Sequence, residues 1–130
     1  PPGTGDTQMT FVQEIKMDGV IIISTPQEVA LIDVKRGIRM FNKFQIKILG
    51  LVDNMSYFKG DDGKKYAIFG EGGVKKTAEE FKKDFLGEIP IDPEVGKQGD
   101  LGIPIVESNP DHLISKIYLE LANRIKLKYS

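Results

Sequence analysis

The chain has 130 residues, 40% of them hydrophobic, which suits one core and one α/β domain. Its 18 basic residues nearly balance its 19 acidic ones, so a nucleic-acid or anionic-membrane footprint is not expected. Cysteine is absent and His112 is the lone histidine, which excludes disulfides, thiolate nucleophiles, cysteine-ligated clusters and histidine-rich zinc sites within these residues. No apolar run approaches a membrane span and no signal segment opens the chain, so a cytoplasmic protein that does not touch membranes is expected.

Pro1-Pro2-Gly3-Thr4-Gly5-Asp6 reads as a turn leading from a strand into a helix, with the strand itself lying upstream of residue 1. In doubly wound α/β proteins such turns border the ligand site. Gly19 to Ser24 is a short β-branched run, the pattern of a strand buried on both faces. Thr25, Pro26 and Glu28 then spell a helix start, with Thr25 as cap and Pro26 in the first turn. Leu31, Val34, Ile38 and Phe41 form one stripe of that helix, which ends at Asn42-Lys43. Ile46 to Val52 is the next strand, closing a strand–helix–strand unit.

From Asp53 to Gly73 the sequence predicts a long connection. Its Lys59 to Lys64 stretch is a polar turn, suited to a small hairpin with Tyr66 to Phe69. Gly70-Glu71-Gly72-Gly73 leads into a helix bearing Val74, Ala78 and Phe81. Phe85 to Ile89 is a third strand, stopped by Pro90. Ile91 to Gly99 reads as a turn and short helix, Gly102 to Val106 as extended chain, and Ser108 to Asp111 as the cap of a last helix striped by Ile114, Ile117, Tyr118, Leu121 and Ile125. His112 falls in the first turn of that helix, where a surface position is the default. The basic, amphipathic end from Arg124 to Tyr129 continues the core stripe, which favours packing over membrane contact. Nothing divides the chain, so residues 1–130 are expected to form a single α/β domain.

Five segments occur in order: Pro1 to Asp6, Ser24 to Leu31, Asp53-Asn54-Met55-Ser56-Tyr57-Phe58, Ile68 to Gly73, and Leu86-Gly87-Glu88-Ile89-Pro90-Ile91-Asp92. Together they resemble the C-terminal half of the Mrp/ApbC family, in the MinD/ParA branch of P-loop ATPases. The resemblance covers nearly the whole chain. It implies a mainly parallel sheet flanked by helices, as the C-terminal part of a nucleotide-binding domain whose N-terminal half is missing. It further implies an ATP-binding iron–sulfur cluster carrier that works as a homodimer and serves iron–sulfur apo-proteins, with ATP and Mg²⁺ as cofactors.

By the same resemblance, Gly3, Thr4, Gly5 and Asp6 match a second switch that senses the γ-phosphate and Mg²⁺. Asn54 matches an adenine-reading asparagine, and Pro90 and Asp92 match a second loop flanking the base and ribose. An amide suits adenine, since its carbonyl and NH₂ pair with N6–H and N7. Asn54 equally suits a turn cap, and Asp92 before Pro93 equally suits a helix cap. The family's phosphate loop would lie upstream of residue 1, and no Gly-x-x-x-x-Gly-Lys-Ser/Thr run occurs within the chain. Many members carry Cys-x-x-Cys after the Met-Ser-Tyr-Phe stretch, where this chain has Lys59-Gly60-Asp61-Asp62-Gly63. These departures predict a chain that neither hydrolyses ATP nor holds an iron–sulfur cluster alone, and that pairs with a second copy or with an N-terminal half. A non-catalytic interaction fragment and a partition-type ATPase of the same branch are the alternatives.

Overall fold

The computed structural model describes residues 5–129, so Pro1 to Thr4 of the predicted switch turn lie outside the described residues. The elements run α1 (Asp6–Glu14), β1 (Val20–Ser24), α2 (Glu28–Lys43), β2 (Ile48–Lys59), β3 (Lys65–Tyr66), α3 (Gly73–Glu80), β4 (Phe85–Ile91), α4 (Pro93–Asp100), α5 (Ile105–Ser108) and α6 (Leu113–Tyr129). Strand β2 is the centre of the sheet. It pairs in parallel with β1 on one edge and with β4 on the other. The antiparallel β3 pairs with the far end of β2, through Phe58 with Tyr66 and Lys59 with Lys65. The sheet is therefore mainly parallel, as expected, with one short antiparallel addition.

Helices cover both faces. Against one face, Val34 and Ile38 of α2 and Val74 and Ala78 of α3 close over Ile48 and Leu51 of β2. Against the other, Ile105 of α5 and Ile114 of α6 pack on Val52, Leu86 and Ile89. Ile38, Leu51, Val74 and Ile114 are fully buried. Each such side chain contributes roughly 1.5–3 kcal/mol through removal of apolar surface from water. The predicted stripes of α2 and α6 face these two cores, although Tyr118 of the α6 stripe stays 39% exposed.

Several boundaries differ from those the sequence suggests, each for a local reason. β1 is not buried on both faces: Val20 and Ile22 pack on the core, whereas Ile21 is 38% and Ile23 60% exposed. Among the described residues its far edge is unpaired, so only one side is covered. Thr25 does not cap α2. Its carbonyl accepts a hydrogen bond from Ser24 Oγ, and Gln27 becomes the cap residue, its own carbonyl accepting from Leu31 N–H. β2 continues through Asp53 to Lys59, so most of the predicted long connection is strand and hairpin. The hairpin uses Lys65 and Tyr66 alone, with Ala67 to Phe69 outside it.

Pro90 does not stop β4, which runs on to Ile91. Among the described residues β4 pairs on one side only, and such an edge position tolerates a residue without an N–H. Phe81 lies just beyond α3 as its C-cap, and Ile105-Val106 opens a short helix instead of continuing the extended Pro104. The basic end of α6 packs, as expected. Tyr129 Oη donates to Leu49 O at 3.0 Å, Arg124 Nη1 donates to Leu86 O, and Lys128 pairs with Asp84. That pairing holds the Asp84 carboxyl below its usual range. None of the described helices is long and apolar enough to cross a membrane.

Candidate functional site

The parallel strands β1, β2 and β4 bring their carboxyl ends to one side of the sheet, the place where open α/β sheets bind ligands. A row of residues crosses it. Ser24 of β1 stands beside Asp53 of β2, and Asp53 stands beside Glu88 of β4. One residue further along, Asn54 is paired with Ile89, directly before Pro90. Asn54, midway along β2, thus lies beside the Ile89–Pro90 stretch of β4, and Asp92 follows Ile91, whose partner is Phe58.

Asn54 is half-buried, and its Oδ1 accepts from the N–H of Met55 at 3.0 Å. Met55 holds φ at 54°, a left-handed conformation unusual for a residue with a long side chain. The β2–β4 register shifts between Asn54 and Phe58, so the strand bulges where Asn54 leaves the sheet. Ser56 Oγ reaches back to Ile89 O at 3.4 Å. Nothing in the sequence pattern announces this bulge, because Asn54-Met55-Ser56 has neither glycine nor proline.

Pro90 is buried. Asp92 is the N-cap of α4: its Oδ1 accepts from Glu94 N–H at 2.8 Å, and Pro93 takes the first helical position. The helix-cap reading of Asp92 is therefore realised. The other carboxylate oxygen, Oδ2, lies 3.5 Å from Nε2 of His112. His112 is not a surface residue. Its side chain is 22% exposed, and its Nδ1 accepts from Ile114 N–H at 3.1 Å, so His112, not Ser108 to Asp111, caps the last helix.

Asp53 is the other titratable group the sequence left unremarked. It is 2% exposed, and its Oδ1 has no hydrogen-bond partner among the described residues. Burial, helped by the nearby charge of Glu88, pushes its carboxyl up to about 6. A single acidic letter at the end of an apolar run carries no warning of this, since its surroundings come from three strands.

Of the switch-like turn, Gly5 and Asp6 are described. Gly5 is the N-cap of α1, its carbonyl accepting from Met9 N–H, and Asp6 is an exposed first-turn residue whose carbonyl accepts from Thr10 Oγ1. Gly3 and Thr4 fall outside the described residues. The Gly70–Thr77 run has lysines and a threonine in a glycine-rich setting, but Gly70 and Gly73 serve packing, and Gly72 has open space and a φ of 71°. A Cβ on Gly70 or Gly73 would sit 3.1 or 3.2 Å from the carbonyl oxygen of Pro26. Thr77 Oγ1 donates to Gly73 O. No group of three or more metal-ligating side chains occurs among the described residues.

Known proteins share this sequence and fold. The chain is 46% identical over 123 residues to the iron-sulfur cluster carrier protein of Aquifex aeolicus, covering 94% of this chain and 34% of that protein. It is 44% identical over 126 residues to an Arabidopsis thaliana iron-sulfur protein required for NADH dehydrogenase, mitochondrial, covering 96% of this chain and 40% of that one. The chain thus spans well under half the length of these relatives. Among solved structures, a nucleotide-binding protein of Archaeoglobus fulgidus in complex with ADP superposes with a TM-score of 0.68 at 41% identity, over 78% of this chain and 42% of that one. The cell division ATPase MinD of Pyrococcus furiosus, 22% identical, shares the fold with a TM-score of 0.65, over 85% of this chain and 43% of that one. The resemblance to iron–sulfur carriers of the MinD/ParA branch is borne out. Residues 1–126 match the model of the NUBPL iron-transfer P-loop NTPases, of ParA type, and the chain belongs to that family.

Proposed function

We propose that this chain is the base-side half of an ATP-binding iron–sulfur cluster carrier, and that it recognises the adenosine part of the nucleotide without acting on its phosphates. The observation that carries this is the pairing of Asn54 with Ile89 on adjacent parallel strands, directly before Pro90 and three residues before Asp92. In this reading the Asn54 amide pairs with adenine N6–H and N7. The buried Pro90 flanks the base, and the Asp92 carboxylate, which has lone pairs beyond those its helix cap uses, accepts from ribose hydroxyls. ADP in the Archaeoglobus neighbour supports a nucleotide as the ligand.

The phosphates need a different part of the fold. A glycine-rich cradle with a lysine supplies backbone N–H groups and charge to a phosphate. In the chain's own glycine-rich run, Gly70 and Gly73 sit against the carbonyl oxygen of Pro26 instead. Phosphoryl transfer rests on positioning and charge neutralisation, so these residues alone do not catalyse it. A cluster, as cargo, would likewise take its thiolates from elsewhere, because the chain has no cysteine. Mg²⁺ would sit with the phosphates, where Gly5 and Asp6 belong to the switch-like turn.

The test is an ADP titration of the chain followed by amide NMR, beside a phosphate-release assay with Mg²⁺-ATP. Expected are fast-exchange shifts at Asn54 and Asp92, millimolar affinity, which corresponds to about −4 kcal/mol, and no turnover. Shifts confined to other residues, or turnover that Asp6→Ala abolishes, would refute the reading.

A further inference from the structure

His112 has a place in the fold that its position in the sequence does not suggest. Its backbone N–H donates to Asn109 O, and its carbonyl accepts from Lys116 N–H, so it is built into the start of α6. Next to it, Ser115 is fully buried, with its hydroxyl 3.0 Å from Ile105 O and 2.7 Å from Asn109 O. The imidazole therefore stands on a base locked to both α5 and α6. Its two nitrogens face different partners, Ile114 N–H and the Asp92 carboxylate.

That arrangement fixes the proton. A backbone N–H only donates, so Nδ1 must present its lone pair to Ile114. The neutral ring then carries its hydrogen on Nε2, the nitrogen 3.5 Å from Asp92 Oδ2. This separation is longer than an ordinary hydrogen bond, so the contact steers the carboxylate without consuming its lone pairs. Oδ1 is meanwhile held by Glu94 N–H. The two oxygens are thus oriented from two helices, α4 and α6, at the end of β4.

We propose that His112 is a positioning residue for Asp92, holding its carboxylate toward the ribose hydroxyls of a bound nucleoside diphosphate. The assignment rests on the base-side reading given above. His112 does not touch the ligand. It sets the direction of the group that does.

Two conservative variants separate this role from simple helix capping. An asparagine amide oxygen reaches the Nδ1 position and can cap Ile114, but does not reach Asp92. A glutamine amide nitrogen reaches the Nε2 position and can face Asp92, but leaves Ile114 uncapped. ADP titrations of the 130-residue chain are compared for the native protein, His112→Asn and His112→Gln, with thermal unfolding of each. Expected is a threefold to tenfold weaker ADP affinity in His112→Asn with a native-like melting temperature. His112→Gln should bind ADP within about twofold of native despite a lower melting temperature, as a group acting through a single polar contact would. Native-like ADP affinity in His112→Asn, or affinity that merely follows stability in both variants, overturns the positioning role alone. Absence of any ADP-induced shift in the native chain overturns the base-side reading and this assignment with it. Long-range ¹H–¹⁵N correlation of the native imidazole is the measurement that needs no variant and no ligand. A hydrogen on Nε2 is expected, and one on Nδ1 overturns the geometry.

Discussion

Asp53→Asn should flatten the dependence of stability on pH. The Asp53 carboxyl is buried and raised from 3.8 to about 6, chiefly by loss of water and secondarily by Glu88. Between those two pH values the native state keeps a proton that the unfolded chain has already released. Unfolding then releases a proton, so stability falls as pH rises. The contribution of protonated Asp53 is complete below about pH 3.8 and is gone above about pH 6. The shift of roughly two units, at about 1.4 kcal/mol each, amounts to up to about 3 kcal/mol. Asparagine keeps the shape and removes the titration. Urea unfolding followed by circular dichroism at about pH 4 and about pH 7 should show the native chain losing up to about 3 kcal/mol more than the variant. Asp84, whose carboxyl is lowered, contributes the opposite slope, but it is present in both proteins and cancels in the difference. Parallel stability curves for the two proteins would refute the idea that the Asp53 charge is confined in a dry site.

Ile38 is fully buried between α2 and the sheet, so Ile38→Ala should cost about 2–5 kcal/mol in urea unfolding, with little effect on the opposite core. Gly70 has φ of 121°, and a Cβ there would sit 3.1 Å from Pro26 O, so Gly70→Ala should destabilise by about 1–3 kcal/mol in the same assay. The exposed Ile21 and Ile23, beside a groove of about 450 Å³ that Gly37 and Phe41 also line, leave an apolar face and an unpaired strand edge. Light scattering across a dilution series should therefore show self-association, which Ile23→Lys weakens. Anaerobic treatment with iron and sulfide, followed by desalting, should leave the chain without stoichiometric iron, and retained iron would mean ligands other than thiolates.

The strand and helix order was legible because it rests on periodicity. Leu31, Val34, Ile38 and Phe41 recur at helical spacing, and the structure places that stripe on the core. The errors came where long-range context overrides local spelling. Asp53 to Lys59 looks too polar to be strand, yet β1, β3 and β4 supply partners that hold it extended. Pro90 looks like a stop, and is tolerated because β4 is an edge among the described residues. Thr25 looks like a helix cap, but its neighbour Ser24 captures its carbonyl and the helix begins later. At the candidate site Asn54, Pro90 and Asp92 are singled out through family likeness, whereas the pairings of Asp53 and Asp92 had no local signal. Asp53 with Glu88, and Asp92 with His112, join positions 35 and 20 residues apart, which only the register of the strands and the packing of α4 on α5 and of α5 on α6 bring together.

The geometry around Asn54 also bears on affinity. Its amide oxygen is already taken by Met55 N–H, and Met55 sits in a left-handed conformation within a bulged stretch of β2. To accept from adenine N6–H, that oxygen must leave Met55 or share its second lone pair. Leaving would forfeit a hydrogen bond worth about 1 kcal/mol. A base contact there returns about as much as it displaces, so adenine alone gains little. In the proposed reading, net affinity then depends on ribose contacts at Asp92 and on phosphate contacts made by other residues. This is the physical reason the base-side half is expected to bind a nucleotide weakly by itself, and to make its contribution to specificity when the phosphates are held elsewhere.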